Sequence, residues 1–168
     1  MKSFRLYGTI VHETLERGMR GMKITIGCDH GAVPLKDEVK KVLEEFSDIE
    51  VADVGTFGTD SVDYPDIAEK VCREVADGKA DRGIVLCGTG IGISIAANKM
   101  KGIRCALCHD VYSAKMSREH NDANVLAMGG RVISFGPAGE IVRAWVQTEF
   151  AGGRHERRVG KLMALERK

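Results

Sequence analysis

The run Gly83-Ile84-Val85-Leu86-Cys87 constrains this chain more than any other stretch. It is apolar without alternation and leads straight into Gly88-Thr89-Gly90-Ile91-Gly92. A short strand that is hydrophobic on both sides must be covered on both sides, as in the middle of a parallel sheet. The flanking chain repeats the theme. Residues 23–28, 50–54, 103–108 and 124–128 read as four further strands. Between the strands, residues 33–46, 66–76, 91–100 and 112–120 carry apolar side chains at helical spacing. Pro65 suits the opening of the second helix. This alternation predicts an α/β fold: an open, doubly wound (Rossmann-like), five-stranded parallel sheet with right-handed crossovers and helices on both faces. Residues 138–150 predict another amphipathic helix, and Val159, Leu162, Met163 and Leu165 space a C-terminal docking helix.

A chain of 168 residues has the length of one domain. Residues 1–22 read as an N-terminal extension and residues 23–168 as the domain, since Met22 directly precedes the first convincing strand. Lysine and arginine number 25 against 24 acidic residues, so the net charge of +1 supplies no bulk field for nucleic acid or an anionic membrane. Neither is expected as a partner, and anion recognition must be local. No stretch has the length and apolarity of a signal peptide or a bilayer span. The five cysteines are odd in number and lie within apolar segments, which argues against a disulfide scaffold and for a reducing cytoplasm.

Polar residues gather where strands end. Cys28-Asp29-His30-Gly31 closes the first strand, Cys87 to Gly92 closes the third, and His120-Asn121-Asp122 precedes the fifth. Sites in doubly wound sheets form beyond the strand carboxyl ends, so these clusters are expected to converge. Cys87 is the sharpest feature. A thiol at a strand-to-helix turn faces the positive end of a helix dipole and a row of free backbone N–H groups, which favours a thiolate. The same N–H groups, bunched where glycine permits close approach, suit an oxyanion. Cys28, Cys72, Cys105 and Cys108 read instead as buried, inert thiols. Arg154 and Arg158 are four apart and share a helix face, with Gly152-Gly153 leaving room for close approach. They suit a phosphate fork, although a charged C-terminal stretch equally describes a solvated face.

Five motifs carry a resemblance. Cys28-Asp29-His30-Gly31, Ser61-Val62-Asp63-Tyr64-Pro65, Cys87 through Lys99, Arg118 through Asn124, and Gly152 through Arg158 resemble type B ribose-5-phosphate isomerase, in order and at consistent spacing. The resemblance implies an aldose–ketose isomerase that interconverts ribose 5-phosphate and ribulose 5-phosphate through ring opening and an enediolate. It implies that Cys87 is the general base and that Thr89 with the backbone of Gly88, Gly90, Ile91 and Gly92 stabilises the intermediate. His120 would open the furanose ring, as its near-neutral intrinsic pKa allows. Asp29, His30, Tyr64 and Asn121 would hold the sugar, and Arg131, Arg154 and Arg158 the phosphate. No cofactor and no metal are implied. Relatives of this kind are homodimers, often paired into tetramers, with each site built across a subunit interface.

Other readings compete. Cys105-Ala106-Leu107-Cys108-His109 matches a c-type haem attachment pattern, but a strand sends alternate side chains to opposite faces and does not offer both thiols to one porphyrin. Gly88-Thr89-Gly90 faintly resembles a dinucleotide fingerprint and hence a nucleotide-binding module, yet the third glycine would fall at Ile93. Among isomerases, allose 6-phosphate, galactose 6-phosphate and tetrose phosphates are alternative substrates. Retention of both the histidine and arginine motifs favours ribose 5-phosphate.

Overall fold

The computed structural model describes residues 21–167. Five strands, β1 (Met22–Cys28), β2 (Ile49–Asp53), β3 (Arg82–Cys87), β4 (Cys105–Leu107) and β5 (Val125–Gly129), form one parallel sheet in the order β2-β1-β3-β5-β4. The helices are α1 (Val33–Leu43), α2 (Tyr64–Ala76), α3 (Ile91–Ala97), α4 (Val111–Asn121), α5 (Phe135–Gln147) and α6 (Arg154–Ala164), followed by a 3₁₀ turn over Leu165–Arg167. Residues 1–20 of the predicted extension lie outside the described residues. Met22 does not belong to that extension, because it opens β1 and pairs with Ile49.

Every residue of β3 is buried. Ile84 and Leu86 enter the core beneath α1, α4 and α5, whereas Val85 and Cys87 enter the core beneath α2 and α3. The unalternating hydrophobic run is thus two alternating faces, each covered. Steps from β1 to β2 and from β4 to β5 use the first helical layer. Steps in the opposite direction, from β2 to β3 and from β3 to β4, use the second, as a constant crossover hand requires. A consequence follows at β3. Its neighbours β1 and β5 send their following helices to one face and β3 sends α3 to the other, so the chain parts on both sides of the carboxyl end of β3.

Several element ends differ from the sequence reading. The first and third helices stop short of Phe46 and Met100, because Phe46 N–H bonds to Leu43 O and Met100 N–H to Ala97 O, one residue tighter than an α-turn. β4 starts at Cys105 because the Arg104 N–H is taken by the Asn124 side chain at 2.8 Å. α5 starts three residues early, on Ser134 as its N-cap, and accommodates Pro137 in its first turn. At its other end Arg82 donates to the carbonyls of Trp145 (3.1 Å) and Val146 (2.9 Å) and Arg118 to that of Thr148 (3.4 Å), both guanidinium groups lying over the buried Trp145 ring. Burial, and then the neighbouring Arg118, hold Arg82 down to about 10. The predicted tail helix docks only in part. Glu166 accepts from Gly102 N–H and Met163 from Arg104, while Leu162 and Leu165 stay exposed.

β1 and the chain after β2 approach too closely for side chains. A Cβ on Gly55 would sit 2.5 Å from Gly27 Cα and press on the Cys28 backbone, while one on Gly58 would meet nothing within 4 Å. Gly55→Ala should therefore cost about 1–3 kcal/mol of unfolding free energy in urea, and Gly58→Ala less than about 0.5. Similar losses for both would contradict this packing.

Candidate active site

At the carboxyl end of the central strand, Gly90 N–H donates to Cys87 Sγ at 3.1 Å. The turn that carries this contact is wedged against β5. A Cβ on Gly129 would lie 2.5 Å from the Thr89 carbonyl carbon and oxygen, so glycine at 129 is what admits the loop. Gly90 has φ +78°, the left-handed conformation that redirects the chain into α3. Not all of the expected free N–H groups are free. Gly90 serves the sulfur, and Ile91 N–H bonds to Thr89 Oγ1 at 3.2 Å.

Beside this turn lies the end of β1. Asp29 N–H bonds to Leu86 O, Asp29 Oδ1 accepts Gly31 N–H at 2.8 Å, and Gly31 packs against Gly88 N. His30 Nδ1 accepts from Val62 N–H at 3.3 Å, so a neutral His30 carries its proton on Nε2. Val62 belongs to the segment after β2, whose start is tied down by buried Lys36. All three ammonium protons are used, on Asp53 Oδ1 (3.0 Å), Gly55 O (3.1 Å) and Thr56 O (2.8 Å). The same segment places the Tyr64 ring against Gly92, where any added Cβ would fall 2.7 Å from Tyr64 Cζ. The Arg131 guanidinium lies over Gly31 and Gly88. Asp29, His30, Tyr64, Cys87, Gly88, Thr89, Gly90, Ile91, Gly92 and Arg131 therefore come together as the sequence predicts.

The remaining site residues do not join them within one chain. His120 and Asn121 end α4, and the chain then passes to Asn124, whose carbonyl accepts from Gly83 at the opposite end of β3. The six residues of β3 separate the two levels by about 16 Å along the strand. The expectation that all three clusters converge at one sheet edge is thus corrected: a helix antiparallel to the strands returns its last residues to the amino edge. There His120 stacks on His155, ring centroids 4.2 Å apart and 3° from parallel. Arg154 and Arg158 share one face of α6, as their spacing predicts. Gly152 and Gly153 leave open space before the two arginines and also shape the turn that precedes them. Nothing lies within 4 Å of a Cβ at either, and their φ values of +63° and +57° make the turn that starts α6.

Burial pushes the thiols of Cys28 and Cys72 up to about 12, Cys108 to about 11, and Cys105 upward as well. Cys105 belongs to the core on one side of the sheet and Cys108 to the core on the other, the orientation that defeats paired haem attachment. Among the described residues no group of three or more His, Cys, Asp and Glu side chains could hold a metal ion, and no helix is long and apolar enough to cross a membrane. Sequence reasoning missed Gly129, Lys36 and His155. The pair Gly129-Gly130 at a strand end was a usable signal, whereas nothing local marks a lysine for burial.

Gly129→Ala must push the Thr89 backbone away from β5. Catalytic turnover should fall at least tenfold while far-UV circular dichroism stays native, and an unchanged rate would refute the wedge.

The ribose/galactose isomerase family model matches residues 24–162. Ribose-5-phosphate isomerase B of Escherichia coli (strain K12) is 49% identical over 146 residues, covering 87% of this chain and 97% of the relative. D-erythrulose-4-phosphate isomerase of Pectobacterium atrosepticum is 44% identical over 142 residues, covering 84% and 93%. The solved structure of Clostridium thermocellum ribose-5-phosphate isomerase B superposes with a TM-score of 0.84 at 55% identity, covering 87% of this chain and 98% of that one. With the matched region reaching all five strands and both residue clusters, this chain belongs to the ribose/galactose isomerase family of aldose–ketose isomerases.

Proposed function

We propose that this enzyme interconverts ribose 5-phosphate and ribulose 5-phosphate in the cytoplasm, with Cys87 as general base, in a homodimer whose sites each draw on both subunits. The observation that carries this reading is the Gly90 N–H aimed at Cys87 Sγ at the carboxyl end of β3, since a backbone donor fixes the sulfur at the edge where sites of doubly wound sheets form. The other four thiols are driven towards the neutral form by burial.

The thiolate takes the proton from C2 of the open-chain aldose, and the electron pair moves into a C1–C2 enediolate. The Gly88–Gly92 turn faces the oxygen that gains charge, and Arg131 lies along the same turn. Transfer of the O2 proton to O1 and return of the carbon-bound proton to C1 give the ketose. Asp29 and the Nε2–H of His30 suit sugar hydroxyls, and Tyr64 lines the pocket together with Asn121 of the partner subunit. His120 of the partner subunit opens the furanose ring by moving a proton between the ring oxygen and the anomeric hydroxyl. Arg154 and Arg158 of the partner subunit join Arg131 on the phosphate, leaving the sugar tethered for attack.

Two features support the shared site. The residues divide into a half at each sheet edge, and the half around Cys87 is bordered by exposed apolar Ile91, Ile95 and Tyr64. Subunit complementation tests the arrangement. Cys87→Ala and His120→Asn homodimers should each be inactive on ribose 5-phosphate, and an equimolar co-refolded mixture should regain about one quarter of wild-type activity, since half the dimers then hold one intact site. A mixture no better than its parents would overturn the shared site, and an active Cys87→Ala would overturn the base.

The substrate is set by the span between Cys87 and the phosphate arginines, which a longer sugar would have to exceed. In a coupled assay at equal concentration, ribose 5-phosphate should give the highest kcat/KM, above allose 6-phosphate, galactose 6-phosphate and erythrose 4-phosphate. A higher value for any of the other three would replace the substrate and leave the proton-transfer chemistry in place.

A further inference from the structure

His155 sits between two groups assigned to different tasks. The residue is 9% exposed, its ring stacks face to face on His120 at 4.2 Å, and its Nε2 accepts from Arg154 Nε at 3.3 Å. The backbone holds this arrangement from both sides. Ala151 N–H bonds to Glu119 O, fixing the chain before α6 against the last turn of α4, and His155 N–H bonds to Gly152 O across the glycine turn. Stacking uses the ring face and the hydrogen bond uses the ring edge, so one side chain restrains two neighbours at once.

We propose that His155 is a positioning residue that locks His120 and Arg154 into one unit, so that proton shuttling at the ring oxygen and anchoring of the phosphate stay in register. Arg154 can donate to Nε2 only while that nitrogen is unprotonated. Burial, then the charges of His120, Arg154 and Arg158, hold His155 below the ordinary histidine value against the opposing pull of Glu119. A neutral imidazole is also a better stacking neighbour for a histidine that must itself become charged during the shuttle. The catalytic consequence rests on the roles given above to His120 and Arg154, while the coupling itself rests only on the stack and the hydrogen bond.

Two substitutions separate the two contacts. His155→Phe keeps an aromatic face for His120 and loses the acceptor for Arg154. His155→Gln keeps an acceptor near the Nε2 position and loses the ring. For ribose 5-phosphate, His155→Phe should raise KM about tenfold with kcat within about twofold of wild type, corresponding to one weakened phosphate contact. His155→Gln should lower kcat about tenfold with KM nearly unchanged. That loss should vanish on erythrose 4-phosphate, which carries its phosphate on the oxygen needed to close a five-membered ring. Equal losses in both variants on both substrates, or wild-type parameters in both, would overturn the proposal.

Inorganic phosphate gives a readout that does not depend on isomerase chemistry. Its Kd should rise in His155→Phe and not in His155→Gln, and the effects of Arg154→Ala and His155→Phe should fail to add. Additive effects on phosphate binding would refute the coupling whatever the kinetics show. Should His120→Asn fail to distinguish cyclic from open-chain substrate, the ring-opening role falls, and the phosphate cycle still decides whether His155 positions Arg154.

Discussion

Where β3 ends, the chain has to turn away at a distance from β5 that leaves no room for a Cβ on Gly129. That contact puts the Thr89 backbone against the sheet, sends Gly90 into a left-handed conformation and thereby aims the Gly90 N–H back at Cys87 Sγ. Everything on the carboxyl edge is built outward from this turn. The end of β1 is hydrogen-bonded to Leu86, Gly31 and Arg131 close over Gly88, and Tyr64 closes over Gly92. Preorganised dipoles of this kind need not reorganise as charge develops, which is the reason to build such a site from backbone tight against a sheet instead of from a mobile loop.

The winding of the sheet explains both the location of this edge and the absence of the second cluster from it. Because β1 and β5 send their helices to one face and β2 and β3 to the other, the chain parts at the carboxyl ends of β1 and β3, where the residues around Cys87 gather. The same winding makes each crossover helix run back antiparallel to the strands. A residue at the end of α4 is consequently delivered to the far edge, whatever its chemistry. His120, Asn121, Arg154 and Arg158 gather there around the His120–His155 stack, a second constellation facing away from the first. One chain displays two separate clusters, which the two-fold symmetric dimer proposed above would bring together twice.

Buried charge marks the places where the fold needs rigidity. Lys36 spends its three protons on the start of the segment that later contacts His30 through Val62 and Gly92 through Tyr64. Arg82 donates to two carbonyls at the carboxyl end of α5, which leads into the glycine turn before α6, and Arg118 adds one bond there from Nε. In each case a cation far from the reacting atoms satisfies backbone carbonyls that no secondary structure reaches. Neither arrangement has a local sequence signature, because the partners are 17 to 20 residues away for Lys36 and 63 to 64 for Arg82.

The alternation of apolar runs with helical spacing was sufficient to establish the parallel sheet, its five strands and the two covered faces of β3, since hydrophobic periodicity is a local property of the chain. The local cues of Cys87 at a strand-to-helix turn and of two arginines four apart on one helix were equally legible. Strand order, the tightened last turns after Leu43 and Ala97, and the side-chain bond from Asn124 that shortens β4 depend on neighbours distant in sequence. Which edge of the sheet each cluster occupies was likewise decided only in three dimensions. Proximity to a strand in sequence does not say which end of that strand is meant, and an antiparallel return along α4 turns the one into the other.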